Sequence, residues 1–105
     1  MANYNVSGLL TLAELARGKK NSWFVYILLC SDNTLYTGIT NNISKRIKDH
    51  ELGIGAKYTK GRSPFNLIFK EKHPNRSSAT KRESEIKSFS KKQKLELSQK
   101  KIFKE

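Results

Sequence analysis

Arg46 and His50 stand four residues apart, beside Ile43 and Ile47, in the stretch TGITNNISKRIKDH. If Asn41 or Asn42 caps a helix running to Gly53, then Ile43, Arg46, Ile47, His50 and Ile54 fall within one stripe of it, the stripe that faces a core. A guanidinium turned inward is costly unless something anionic meets it. In SATKRESEIKSF, Ala79, Glu83, Ile86 and Ser90 share one helix face, with Arg82 and Phe89 flanking it. Glu83 then points inward and Glu85 away. In a chain with 9 Asp and Glu against 21 Lys and Arg, a carboxylate on an apolar face is either the partner of Arg46 or the ligand of a metal ion.

Two tyrosines extend this set. Tyr26 lies in the apolar run WFVYILLC, and Tyr36, Gly38 and Thr40 share one face of LYTGIT. If even positions oppose even ones across the turn SDNT, Tyr26 and Tyr36 share a face of the sheet. Gly38 marks close approach of a ligand or another backbone, because a glycine inside a strand otherwise only weakens it.

The elements that position these residues follow from pattern. The run Trp23 to Cys30 is short, β-branched and aromatic, and reads as a strand covered on both faces. Leu35 to Thr40 is its hairpin partner. A loop bracketed by Gly53, Gly55, Gly61 and Pro64 follows the helix and carries AKYTKGR. Phe65 to Glu71 reads as a third strand that HPNRSS breaks. Ser77 or Ser78 caps the next helix, and SKKQ opens a last one near 91 to 100. The expected fold class is α+β: a small three-stranded antiparallel sheet flanked by helices, in the order ββαβαα. Residues 1–21 read as an appendage in which TLAE starts a short helix, residues 22–100 as the domain, and residues 101–105 as a frayed basic tail.

A length of 105 residues allows one modest core, and a net charge of +12 makes a polyanion the first partner to consider. Nothing approaches a membrane-spanning length, and no secretory signal is read at the N-terminus. The single cysteine, Cys30, excludes an internal disulfide and a cysteine-based zinc site, and suits a reducing cytoplasm.

Taken together, in this order and at these spacings, these residues resemble the GIY-YIG nuclease family. Phe24-Val25-Tyr26 matches its first motif through the tyrosine, and Tyr36-Thr37-Gly38 its second with the middle residue changed. Arg46 stands at the family's arginine position, His50 at its His-or-Tyr position, and Glu83 at its metal-binding glutamate. The resemblance spans roughly Trp23 to Leu97 and is strongest to small stand-alone bacterial members similar to the catalytic unit of Slx-type nucleases. The asparagine that many relatives carry near the domain end has no clear counterpart.

The resemblance implies hydrolysis of phosphodiester bonds with one divalent ion, Mg²⁺ or Mn²⁺, held by Glu83. Arg46 would grip the scissile phosphate. Tyr26 or Tyr36, with Tyr26 preferred, would take the proton of the attacking water, provided the site lowers a phenol pKa that is ordinarily near 10. His50 would hydrogen-bond a tyrosine hydroxyl or a phosphate oxygen. Lys57, Tyr58, Lys60 and Arg62, with Gly38, would meet the nucleic-acid backbone, DNA rather than RNA. Lys81, Lys87, Lys91, Lys92 and Lys94 extend the basic surface. The expected function is a metal-dependent DNA endonuclease of repair or recombination, structure-specific in the manner of its relatives. The alternatives are a non-catalytic basic module that binds DNA or RNA, and a scaffold whose protein partner supplies specificity.

Overall fold

The computed structural model describes residues 22–104, with strands β1 (Trp23–Leu29), β2 (Leu35–Thr40) and β3 (Asn66–His73), and helices α1 (Ile43–Glu51), α2 (Arg76–Lys87) and α3 (Lys91–Lys104). The helix expected around TLAE lies outside these residues. The sheet is antiparallel in the order β2-β1-β3. This is the α+β arrangement, in the order ββαβαα, that the pattern predicts.

β1 is central because only a strand covered on both faces tolerates four consecutive buried residues, Val25 to Leu28. Its odd positions, Val25 and Ile27, pack with Phe69 of β3 and with Ala79 and Ile86 of α2 in an aliphatic core. Fully burying an aliphatic side chain such as Ile86 contributes about 1.5–3 kcal/mol. Its even positions, Tyr26 and Leu28, pack with Cys30 and Phe65 in a second, more polar core against Tyr36, Ile43 and Ile47. The candidate site is built into this second core.

The hairpin turn sets the register. Asn33, at φ 69°, closes it, with Cys30 N–H donating to Thr34 O at 2.8 Å. Tyr26 then opposes Gly38 and Leu28 opposes Tyr36, so even meets even.

The helix ends depart from expectation in ways that matter for the site. Asn42 caps α1, its side chain accepting from Lys45 N–H at 3.1 Å. The helix stops at Glu51 because Gly53, at φ +80°, forms a Schellman turn: Gly53 N–H donates to His50 O and Ile54 N–H to Asp49 O. Ile54 therefore leaves the inward stripe and is 69% exposed.

Asn75, rather than Ser77 or Ser78, caps α2, accepting from Ser78 N–H at 2.8 Å. β3 runs two residues further than expected because His73 still pairs with Trp23. α3 continues through Lys104, so a helix takes up most of the segment read as a tail.

Candidate active site

β1 and β2 present the two tyrosines side by side, ring centroids 6.2 Å apart. What allows this is Gly38, which lies directly across from Tyr26. The neighbour that this glycine approaches is the Tyr26 phenol, since an added Cβ would lie 2.7 Å from its oxygen. α1 brings His50 into the same pocket. Its Nε2 is 2.8 Å from Tyr26 Oη, and its ring centroid is 5.2 Å from that of Tyr36.

Both Tyr26 and His50 are buried, and burial decides their protonation. The Tyr26 pKa is pushed up to about 12, chiefly by desolvation; the Arg46 guanidinium pulls it down, while the nearness of Tyr36 and Glu83 adds to the rise. For Tyr26 in the metal-free site this runs opposite to the expected lowering. Arg46 does act in the expected direction, but burial outweighs it. His50 moves the other way, below 6.5, because burial and the nearby Arg46 charge both disfavour its protonation. The free site therefore pairs a neutral phenol with a neutral imidazole.

Arg46 reaches the same two phenols. Its own pKa is raised despite burial, because Tyr26 and Tyr36 favour its charge. It joins none of the ion pairs among the described residues, and its buried Nε has no hydrogen-bond partner. Beside it is an open groove of about 250 Å³, lined by Thr40, Asn41, Asn42, Lys45, Arg46 and Asp49. An inward guanidinium with an orphaned donor calls for an anion from outside the chain.

Glu83 comes from α2, which packs against β1 and β2. Its side chain is 18% exposed against 57% for Glu85, as the helical face predicts. Its carboxylate pairs with Lys87 at 3.1 Å, so the alternative of a structural Arg46–Glu83 pair is not the one adopted. Among the described residues no three His, Cys, Asp or Glu side chains group closely enough to enclose a metal ion. A single carboxylate such as that of Glu83 could supply one oxygen ligand to a hard ion that keeps several waters, such as Mg²⁺ or Mn²⁺.

The basic, aromatic loop closes over the pocket. Tyr58 stacks on Tyr36 with centroids 5.9 Å apart, and the Arg62 guanidinium lies 4.3 Å over the Tyr58 ring. Arg62 also donates to Tyr58 O at 2.7 Å and pairs with Asp32 of the hairpin turn. It is thus committed to holding the loop against the turn. Lys57 and Lys60 are exposed and join no ion pair among the described residues. Of the outlying cations, Lys87 holds Glu83 and Lys91 donates to Asn33 O.

Two residues that the pattern did not single out also touch the site. Thr59 is completely buried, with Oγ1 2.7 Å from His50 Nδ1. Gly55 lies so close to His50 that an added Cβ would be 2.5 Å from Nδ1. Thr59 was hidden inside AKYTKGR, where the charges and the aromatic dominate any reading, and Gly55 reads only as loop punctuation.

Known proteins share this chain's sequence pattern. The model of the GIY-YIG catalytic domain matches residues 22–96. A UPF0213 protein of Clostridium perfringens is 51% identical over 82 residues, covering 78% of this chain and 88% of that protein. A UPF0213 protein of Natronomonas pharaonis is 49% identical over 74 residues, covering 70% and 87%. Among solved structures, an E. faecalis protein determined by NMR aligns with a TM-score of 0.57 and 39% identity over 82% of this chain and 91% of that one. No helix of the described residues is long and apolar enough to cross a membrane. The matched stretch holds the two tyrosines, Arg46, His50 and Glu83 in the family's order, and this chain belongs to the GIY-YIG catalytic domain family.

Proposed function

We propose that the protein is an endonuclease that hydrolyses phosphodiester bonds in DNA, with Tyr26, Tyr36, Arg46, His50 and Glu83 as its working residues. The observation that carries this reading is the unpaired, inward guanidinium of Arg46, facing two phenols and a groove. A scissile phosphate is the anion that such a fork takes, and its bidentate grip strengthens as charge develops on the phosphoryl oxygens.

The chemistry follows from protonation. A phenol with a pKa of about 12 is not a standing base at neutral pH. It can accept a water proton only while giving its own away, and the neighbour 2.8 Å distant is the neutral His50 Nε2. Tyr26 therefore acts as the contact point of a two-step relay and His50 as its terminus. Among the described residues Tyr36 has no such hydrogen-bond partner, and it is given the role of orienting the phosphate beside Arg46. Glu83 would hold Mg²⁺ or Mn²⁺, which when bound stabilises charge on the phosphate and the leaving oxygen. Lys57, Lys60 and the exposed part of Tyr58 would position the backbone without reading its sequence. A role in repair or recombination, at branched or single-stranded features, is in keeping with a domain this small and this basic.

The test is incubation of the pure chain with plasmid, branched oligonucleotides and RNA, with Mg²⁺ or Mn²⁺ and then with EDTA. Metal-dependent cleavage of DNA that disappears in Arg46→Ala and in Glu83→Ala supports the reading. Cleavage that persists in both variants means a contaminant, and tight binding without turnover in either metal assigns the chain to a non-catalytic nucleic-acid-binding module.

A further inference from the structure

We infer that Thr59 is a positioning residue: its hydroxyl fixes the tautomer of His50 and so the direction in which the Tyr26 proton travels. The inference rests on the hydrolytic reading above for its catalytic consequence, but not for its structural content.

Thr59 Oγ1 has one proton to give. The Ala56 carbonyl oxygen lies 2.9 Å away and receives it, while Ala56 N–H approaches the same Oγ1 at 3.4 Å as a donor. At 2.7 Å, His50 Nδ1 must then donate its own proton to a remaining lone pair of the hydroxyl. A neutral imidazole protonated on Nδ1 bears its lone pair on Nε2, which faces Tyr26 Oη.

The opposite arrangement is disfavoured at both ends. A Thr59 hydroxyl turned toward Nδ1 would leave two oxygens facing each other at 2.9 Å with no proton between them. It would also make Nε2 a donor to Tyr26, depriving the buried phenol of its acceptor. Ring reversal is disfavoured as well, because it would put Cδ2 and Cε1 where Nδ1 and Nε2 now make their hydrogen bonds.

The proton balance is complete. As the water oxygen bonds to phosphorus, its proton passes to Tyr26 Oη, and the phenol's own proton passes to His50 Nε2. The imidazolium keeps Nδ1–H on Thr59 and needs no reorientation. The leaving oxygen, on scission of its bond to phosphorus, takes a proton from solvent, and His50 returns its extra proton by the reverse route.

The experiment uses the full chain with ¹⁵N-labelled histidine, the two histidines being told apart with His73→Gln. Long-range ¹H–¹⁵N spectra at pH 7.5 should show His50 protonated on Nδ1. An Nε2–H signal in the unaltered chain would overturn the inference. Thr59→Val keeps the shape and removes the hydroxyl. It should admit the other tautomer and lower kcat by roughly 10-fold or more with KM little changed, and Thr59→Ser should restore both. A folded Thr59→Val chain with unchanged tautomer, or with the tautomer altered and kcat intact, would refute it. If Thr59→Val does not fold, the wild-type and Thr59→Ser spectra still decide: wild type on Nδ1 with Ser matching it supports the role, and any other pattern removes it. Should the unaltered chain cleave nothing, the nuclease reading fails by itself while the spectra still judge Thr59.

Discussion

A Cβ placed on Gly38 would lie 2.7 Å from the hydroxyl oxygen of Tyr26 and 2.9 Å from its Cζ. These residues oppose each other across the β1–β2 ladder, so the phenol lies over bare backbone. Even the smallest side chain at position 38 must push Tyr26 off His50. Gly38→Ala is expected to lower stability by about 1–3 kcal/mol through overpacking, read by urea denaturation, and to abolish cleavage at temperatures where the chain remains folded. Unchanged turnover in a folded variant would mean that Tyr26 need not lie where it does.

The two tyrosines should differ in kind. Of the two, Tyr26 is the one whose hydroxyl is hydrogen-bonded to His50, so Tyr26→Phe should cut single-turnover cleavage by roughly 10²- to 10⁴-fold while DNA binding in Ca²⁺ is preserved. Tyr36→Phe should lose less. A reversed order of severity would move the relay to Tyr36.

His50 gives the protein a pH signature. Its folded pKa is depressed below 6.5, so between that value and the folded pKa the unfolded chain binds more protons than the native one. Stability from this residue is fully present above about pH 6.5 and is lost as pH falls through the folded pKa. Melting temperatures taken from pH 7.5 down to 5 should decline in the unaltered chain and flatten in His50→Gln. Equal slopes would show that His50 protonates freely in the fold. Cleavage should likewise decline only below pH 6.5, where Nε2 becomes occupied.

Lys87 competes for the carboxylate of Glu83, to which it is paired at 3.1 Å. Half-exposed pairs of this kind are worth about 0.2–1 kcal/mol, so Lys87→Met should tighten Mn²⁺ binding by up to about fivefold, measured by paramagnetic titration. Glu83→Gln should abolish that binding. Weaker binding in Lys87→Met would argue that the ion is held elsewhere.

The loop cations should separate into two behaviours. Lys57→Ala and Lys60→Ala should each reduce the salt slope of DNA binding by roughly one unit and leave the melting temperature unchanged. Arg62→Ala should instead lower the melting temperature, because Arg62 is tied to Asp32, to Tyr58 O and to the Tyr58 ring. If all three act alike on salt dependence, Arg62 is not the strut that its contacts suggest.

Alternation and helical spacing carried the fold a long way. The even positions of the hairpin share a face because strand periodicity is 2, and Glu83 turns inward while Glu85 turns out because helix periodicity is 3.6. Both relations are set within a few residues and need nothing else from the chain. Ile54 shows where such reasoning stops: the stripe that includes it assumes a helix to Gly53, and the left-handed glycine ends α1 at Glu51.

Local period was enough to turn Tyr26, Tyr36, Arg46, His50 and Glu83 inward. The state each takes there came from the assembled fold. The high pKa of Tyr26 comes from burial, the commitment of Glu83 to Lys87 leaves Arg46 without a carboxylate, and the return of Thr59 to His50 comes from a loop nine residues on. Periodicity reports direction, whereas desolvation and hydrogen-bond partners depend on which distant segment closes over the face, and that is a property of the assembled fold.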